Sequence, residues 1–586
     1  MGTISDKLMR VINTKEDIRQ ALISKGYNVP TSIPFKEYAK MISDLPCRVD
    51  SFPDIEGIVA RYSALGLTNE QMAANPVWVD KTGNGHDIQL KNFSWKGMSG
   101  VGGYEMNFNL WRNNVSSIPD ISMSTTTTSV SVSVGNSTYN NNLIYIHISN
   151  WDINKNHWLK VTSTYEDGDL AFIFYNGSNT KKIGLPANGY VNILAYPEFK
   201  GSYMYISTIS NKQGSFTIEQ LPLYPGALVF DGVDDWAGCD NLPLLPKEKG
   251  YSIIALRNWI TRYDATQYKR PLISNLDTND EGAFLIEYRK DENVNDVTGP
   301  YNSFTDVYID DNNPITWQTS SSYNGQIIKK GTSKSTNKLC ICKTYFGQLS
   351  NYANAAILEI VILDHDATEE ELTKIKDYFV KTYPWLFPDQ AWTVVGKTNE
   401  DEDRATIANI TGNGNDLVLS NFGFAEGSGY NEEGEYAGYL VTDGVDDKII
   451  SSIFKMGNDW TVIGDWELIN TGKNDNAGIV KFDSIVIYNY NYNSVLINIK
   501  NGRNILIPDQ NTVNAICSDG RIYSKDWKES IYNEETESTS KNFLTIGYSG
   551  NAYTKIAFKN LAIYPTVLSR EDCIKAYNYL QTLKAK

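Results

Sequence analysis

Three carboxylates fall within five residues at Asp231, Asp234 and Asp235, and again at Asp443, Asp446 and Asp447. Clustered carboxylate oxygens are what a hard cation such as calcium requires. Both sets, however, lie in the same turn, Asp-Gly-Val-Asp-Asp, where aspartate side chains accept backbone N–H bonds. A turn must be kept in every copy of a repeated unit, whereas a ligand site need not be. The expectation is a structural turn, and no metal site is assigned. Asp277-Thr-Asn-Asp-Glu-Gly282 opens like a calcium loop, but its closing acid, Glu287, comes one position early, with Tyr288 in its place, and the flanks read as strands. Tyr488, Tyr490 and Tyr492 alternate with asparagine, so on a strand they share one face. Exposed, such a row would stack against sugar rings; buried, it would be core or interface with hydroxyls reaching outward. These three tyrosines are the candidate glycan platform.

Catalytic patterns are missing. Gly97-Met-Ser-Gly-Val101 and Gly547-Tyr-Ser-Gly-Asn551 lack the final glycine of a nucleophile elbow. No strand carries the Glu-x-Asp-x-x-Glu run with which retaining sandwich glycosidases place two carboxylates about 5 Å apart. His86, His147, His157 and His365 show no metal spacing, and no Gly-Lys-Ser/Thr loop is present to cradle phosphate. No catalytic residue, cofactor or metal ligand is assigned, and the expected class is not an enzyme.

The net charge of −16, without a basic patch, argues against nucleic acid and against anionic membrane surfaces. No apolar run approaches membrane-spanning length. The six cysteines have no paired spacing, and Cys340-Ile-Cys342 is too close for a zinc knuckle, so free thiols in a reducing compartment are expected. The opening Met1-Gly-Thr-Ile-Ser-Asp-Lys7 reads as neither a signal peptide nor a myristoylation site, which predicts synthesis in a cytoplasm.

The elements that must position any site come in two copies. Thr82-Gly-Asn-Gly-His-Asp-Ile-Gln-Leu-Lys-Asn-Phe93 is repeated as Thr411-Gly-Asn-Gly-Asn-Asp-Leu-Val-Leu-Ser-Asn-Phe422, each a Gly/Asn turn running into a short alternating strand. Thr68-Asn-Glu70 and Thr398-Asn-Glu400 lie upstream, and the two Asp-Gly-Val-Asp-Asp turns downstream. Each copy closes on an apolar strand and a helix: Leu358–Leu363 before Thr368–Phe379, and Leu561–Tyr564 before Ser569–Leu580. Thr368-Glu-Glu-Glu371 fits a capping box, and Ser569-Arg-Glu-Asp572 is a weaker version. Four landmarks in one order, twice, make a duplicated domain.

The first copy runs from Thr82 to Asp231 where the second needs only Thr411 to Asp443, a surplus large enough for a small domain inserted in a loop. Ser129–Val134, Leu143–His147, Trp158–Val161, Leu170–Tyr175, Val191–Ala195, Tyr203–Ile209 and Gly214–Leu221 read as its strands, and Thr125–Thr128 as a hairpin tip. By pattern it is similar to the jelly rolls of carbohydrate-binding modules.

The Phe230-Asp-Gly-Val-Asp-Asp235 strand-turn, with the preceding Thr-Gly-Asn-Gly and the closing strand-helix, resembles concanavalin A-like (LamG-type) jelly-roll domains. The resemblance implies a mainly β chain: one sandwich over 51–100 plus 226–388, an inserted β-sandwich over 101–225, and a second sandwich over 389–586. Pro384-Trp-Leu-Phe-Pro388 would be a stiff apolar joint.

Residues 1–46 differ from the rest. Ile4, Leu8, Val11 and Ile12, then Ile18, Ala21 and Leu22, predict an amphipathic helix that Gly26 stops; Phe35, Tyr38, Ile42 and Leu45 predict a second. So short a segment buries little apolar surface alone, so it packs on this chain, docks into a partner or self-associates. Thr14-Lys-Glu-Asp-Ile-Arg-Gln-Ala-Leu-Ile-Ser-Lys-Gly26, followed by Ile33-Pro-Phe-Lys-Glu-Tyr-Ala-Lys-Met-Ile42, resembles the N-terminal module of tailed-phage structural proteins, including those of crAss-like and other Bacteroides phages. The resemblance implies a virion protein, a fibre or appendage on head or tail. It would be made in the host cytoplasm, anchored to other virion proteins through residues 1–46, and display lectin-like sandwiches to host or mucosal glycans. Such fibres are frequently trimers, but no heptads mark a coiled coil here. The alternatives are a bacterial glycan-binding protein and, behind it, a glycoside hydrolase or depolymerase.

Overall fold

In the computed structural model, residues 55–586 form one compact unit. The described residues are 52–585 apart from 106, 114–120, 136–141, 148–156, 176, 194–202, 209–212, 246–249, 261–268, 278–283, 290–304, 309–311, 321, 324–325, 328–335, 347–350, 435, 453–455, 470–477, 483–484, 491–493, 500–502, 508–512, 525–526, 532–543 and 550–551. The two helices expected within 1–46, and residues 278–283 of the calcium-like loop, lie outside them, while its expected closing acid Glu287 is buried on the strand Phe284–Arg289.

The closing strand of each repeat is the spine of its sandwich. Asn354–Leu363 is buried along nearly its whole length, which explains why it reads as a continuous apolar run. Ala355 and Ile357 and, beyond a bulge at Leu358, Ile360 and Ile362 enter the core between the sheets. It pairs with Ile58–Ser63, Leu228–Asp231 and Ser252–Trp259. In the second copy Ile556–Tyr564 pairs in the same way with Gln390–Thr393, Tyr439–Val441 and Thr461–Leu468. A β-bulge falls at the same place in both, between Leu256 and Arg257 and between Asp465 and Trp466.

The facing sheets also correspond. Ile88–Lys91, Trp236–Cys239, Leu339–Ile341, Lys269–Ser274 and Phe284–Arg289 run in the same order as Leu417–Ser420, Lys448–Ser451, Leu544–Ile546, Gly478–Phe482 and Ile485–Tyr490. The duplication legible in four landmarks is therefore a duplication of sheet topology. Both closing helices are capped. Thr368 and Glu371 make the full reciprocal box, while Ser569 accepts only from the Asp572 N–H.

Between the strand Gly100–Val101 and Leu228 stands a third sandwich, of two five-stranded antiparallel sheets. Its entering and leaving segments are stitched together by Tyr224 N–H to Gly102 C=O (2.8 Å) and Leu223 N–H to Gly103 C=O (3.0 Å). One sheet runs Asn188–Ile193, His157–Ser163, Gly214–Gln220, Ser129–Val134, Ile121–Thr125; the other runs Thr180–Leu185, Leu170–Tyr175, Tyr203–Thr208, Asn142–His147, Arg112–Asn113. Residues 126–128 turn the hairpin between Ile121–Thr125 and Ser129–Val134.

The first of these sheets leans on the second repeat. The Trp158 ring meets Trp527 at 5.8 Å and Tyr577 at 6.0 Å, and the Arg570 guanidinium lies 4.8 Å over Tyr190. Since Leu159, Val161 and Val191 from the same strands fill the insert's own core, Trp158 and Tyr190 belong to that sheet's outer face. The outer face of the opposite sheet therefore points away from the second sandwich.

Candidate functional site

The repeated landmarks resolve into one hydrogen-bonded turn system built twice. The Arg61 N–H donates to Asp80 Oδ1 (3.1 Å) and the Asp80 N–H to Asp87 Oδ1 (2.8 Å); in the second copy Ala391 donates to Asn409 (3.2 Å) and Asn409 to Asp416 (2.8 Å). The Tyr62 hydroxyl and the Trp392 indole N–H both donate to the carbonyl of the same turn residue, His86 and Asn415. Asn92 and Asn421, at φ of 68° and 69°, each donate to a carbonyl in the Asp-Gly-Val-Asp-Asp turn, those of Asp234 and Asp446. Asparagine suits this left-handed position better than a residue without a local hydrogen-bonding side chain. What the repeat preserves is the joinery between strands.

The aspartate triplets belong to that joinery. Asp231 Oδ1 accepts the N–H groups of Val233 (2.8 Å), Asp234 (3.3 Å) and Asp235 (3.4 Å), while Asp235 Oδ2 accepts the Asp231 N–H (3.1 Å). Asp443 and Asp447 repeat the arrangement. Among the described residues these are the two groups of three side chains close enough to share an ion, yet two carboxylates of each are engaged by backbone donors.

Burial pushes the Asp235 carboxyl up to about 7, against the lowering pull of the Ser99 hydroxyl; burial likewise takes Asp447 up to about 6. A raised folded value means the folded chain holds a proton that the unfolded chain has released. This contribution to stability is full below about pH 4 and is lost as pH rises to about 7. The Asp235 share is on the order of 2–4 kcal/mol. Asp235→Asn keeps an acceptor for the Asp231 N–H and is expected to flatten the fall of melting temperature between pH 4 and 7. An unchanged slope in the variant would rule this group out as its source.

Other chemistry-bearing groups are similarly committed. His365 lies between Asp364 and Glu371 (both 3.2 Å), but Glu371 is the capping residue of the helix Glu369–Thr382. Cys239, Cys340, Cys342, Cys517 and Cys573 are free and buried. Tyr488 and Tyr490 lie on the strand Ile485–Tyr490; their side chains, and Tyr492 altogether, are outside the described residues.

The structure assembles a different tyrosine face. On the insert's second sheet, Leu170, Phe172, Phe174, Met204 and Ile206 enter the core. Their neighbours Tyr175, Tyr203 and Tyr205 must then face outward. Register places Tyr175 beside Tyr203, and Tyr205 beside Tyr145 of the next strand. The Tyr145, Tyr203 and Tyr205 rings lie 5.7–6.2 Å apart. Tyr175 and Tyr203 are 44% and 40% exposed, and Tyr145 and Tyr205 are half-buried between neighbours. Burial, followed by the nearby Tyr203, Tyr145 and Tyr175, raises the Tyr205 pKa, so its hydroxyl keeps its proton as a hydrogen-bond donor.

Four rings on one sheet face offer apolar surfaces for stacking and hydroxyls at their rims. Sequence reading found Tyr488-Asn-Tyr490 by its alternation and passed over the same signal in Tyr203-Met-Tyr205. Tyr145 and Tyr175 carry no such signal, because only strand register brings them in.

No family model matches the chain, and no curated protein matches it. Among solved structures it is similar to the receptor-binding domain of botulinum neurotoxin C/D mosaic serotype (11% identity over 32% of this chain and 50% of that one, TM-score 0.25). It is also similar to the binding domain of Paraclostridial mosquitocidal protein 1 (13%, 32% and 51%, TM-score 0.22). A third is Trypanosoma rangeli sialidase in complex with sialic acid (8%, 80% and 85%, TM-score 0.24). The chain spans about half the length of the toxin binding domains it matches. The fold defines a mainly β protein of antiparallel sandwiches. What it binds has to be argued from its own residues.

Proposed function

We propose that this chain is a non-enzymatic glycan-binding display protein, and that it serves as a head or tail appendage of a phage virion. The exposed four-tyrosine face of the inserted sandwich carries the glycan reading. It is turned away from the second repeat, and its rings can cover the C–H faces of pyranoses while the hydroxyls meet sugar hydroxyls. The two repeats are scaffold: their preserved residues are spent on turns and caps. The virion part rests on the resemblance of residues 14–42 to phage structural proteins, with residues 1–46 joining other virion proteins. The glycan part is tested on an array of host-surface and mucosal glycans, where the full chain should give saturable signals and no sugar release. A blank array would sink it. The virion part is tested by mass spectrometry of purified particles, in which peptides of this chain are expected in stoichiometric amounts; their absence would remove the virion role and leave the glycan reading standing.

A further inference from the structure

The row of the tyrosine face that contains Tyr145 and Tyr205 ends in a cation on each side. Across the sheet, register sets Arg112 beside Tyr145, Tyr145 beside Tyr205, Tyr205 beside Ile173, and Ile173 beside Lys182. Arg112 and Lys182 are both exposed. Arg112 Nη1 donates to the carbonyls of Asn109 (2.9 Å) and Trp111 (3.1 Å), which anchors one edge of the guanidinium and leaves its other donors for a ligand. Among the described residues, this face carries no carboxylate, in a chain whose net charge is −16.

We propose that the ligand of this face is an acidic polysaccharide, its sugar rings stacked on the tyrosines and its carboxylate or sulfate groups held by Arg112 and Lys182. The inference rests on the glycan reading of the same face. Four strand spacings separate the two cations, about 19 Å. A single charged sugar cannot reach both, so the fitting ligand is a chain with recurring acidic groups. Arginine and lysine bonds to such groups are charge-assisted, and stronger than those between neutral partners. The overall negative charge does not forbid this, because beyond about 8 Å at physiological salt it is screened while contact pairs are not.

The test sets polygalacturonate, alginate and chondroitin sulfate beside neutral dextran and galactomannan, against the full chain at low and physiological salt. The acidic polymers are expected to bind, more weakly as salt rises. Lys182→Glu and Arg112→Gln, each checked for an unchanged melting temperature, are expected to weaken that binding about tenfold. Acidic polymers bound no better than neutral ones, or bound equally by Lys182→Glu, would overturn the inference alone, provided Tyr203→Ala/Tyr205→Ala still abolishes binding. If the tyrosine variant binds as well as wild type, or if neither class of polymer binds, the platform reading falls with it.

Discussion

Glu359→Ala is expected to cost about 3–5 kcal/mol of stability, measured as a fall in the denaturant midpoint. The carboxylate is fully buried, with Oε2 3.1 Å from Arg61 Nε. Its Oε1 accepts from the Tyr383 (2.8 Å) and Tyr378 (3.1 Å) hydroxyls. Burial pushes the Glu359 pKa up, and Arg61 and Tyr383 pull it back. Arg61 is only 4% exposed, so removing the acid leaves a guanidinium without its charge partner inside the protein.

The second repeat shows what a neutral version looks like. By strand register Ala391 stands where Arg61 does and Asn560 where Glu359 does. The double variant Arg61→Ala/Glu359→Asn should therefore be less destabilised than Glu359→Ala alone, because no buried charge is orphaned. A double variant that loses the full sum of the two single costs would show that the pair acts as two independent contacts.

The second large effect falls on binding. Tyr205 lies within the middle strand of the five, where Tyr203 is that strand's first residue, and it is half-buried beside Tyr145, so it sits nearest the centre of the face, and central aromatic residues dominate binding energy. Tyr205→Ala is expected to weaken glycan binding by about 2 kcal/mol, roughly 30-fold, and Tyr203→Ala by about tenfold. The two together should lose a hundredfold or more by titration calorimetry. Stability should move far less, because each outward ring gives up only cross-strand pairing, about 0.2–1 kcal/mol per pair. A variant that loses binding and also melts much earlier would make Tyr205 a packing residue instead.

The parts legible in sequence are those whose physics is local. The Thr-Gly-Asn-Gly and Asp-Gly-Val-Asp-Asp turns demand particular residues at particular backbone angles, so they survive duplication as readable text. The capping residues Thr368 and Ser569 mark helix starts for the same reason. The surplus between Thr82 and Asp231 announced an insert because one copy lacks it. What escaped is what register alone creates. Arg61 and Glu359 are 298 positions apart and nothing in either neighbourhood names the other. Tyr145, Tyr175, Tyr203 and Tyr205 come from three strands, and only their pairing makes a surface. Alternating tyrosine marks Tyr203-Met-Tyr205 as it marks Tyr488-Asn-Tyr490, but a strand does not state which of its faces is covered.

Hydroxyl-radical footprinting of the full chain, with and without its strongest array ligand, addresses the tyrosine face most directly. Oxidation of Tyr145, Tyr175, Tyr203 and Tyr205 should fall when the glycan is bound, while Tyr488, Tyr490 and Tyr492 stay unchanged. Protection at the latter three, with the former four still oxidised at the free rate, would contradict the assignment and move the site to the second repeat.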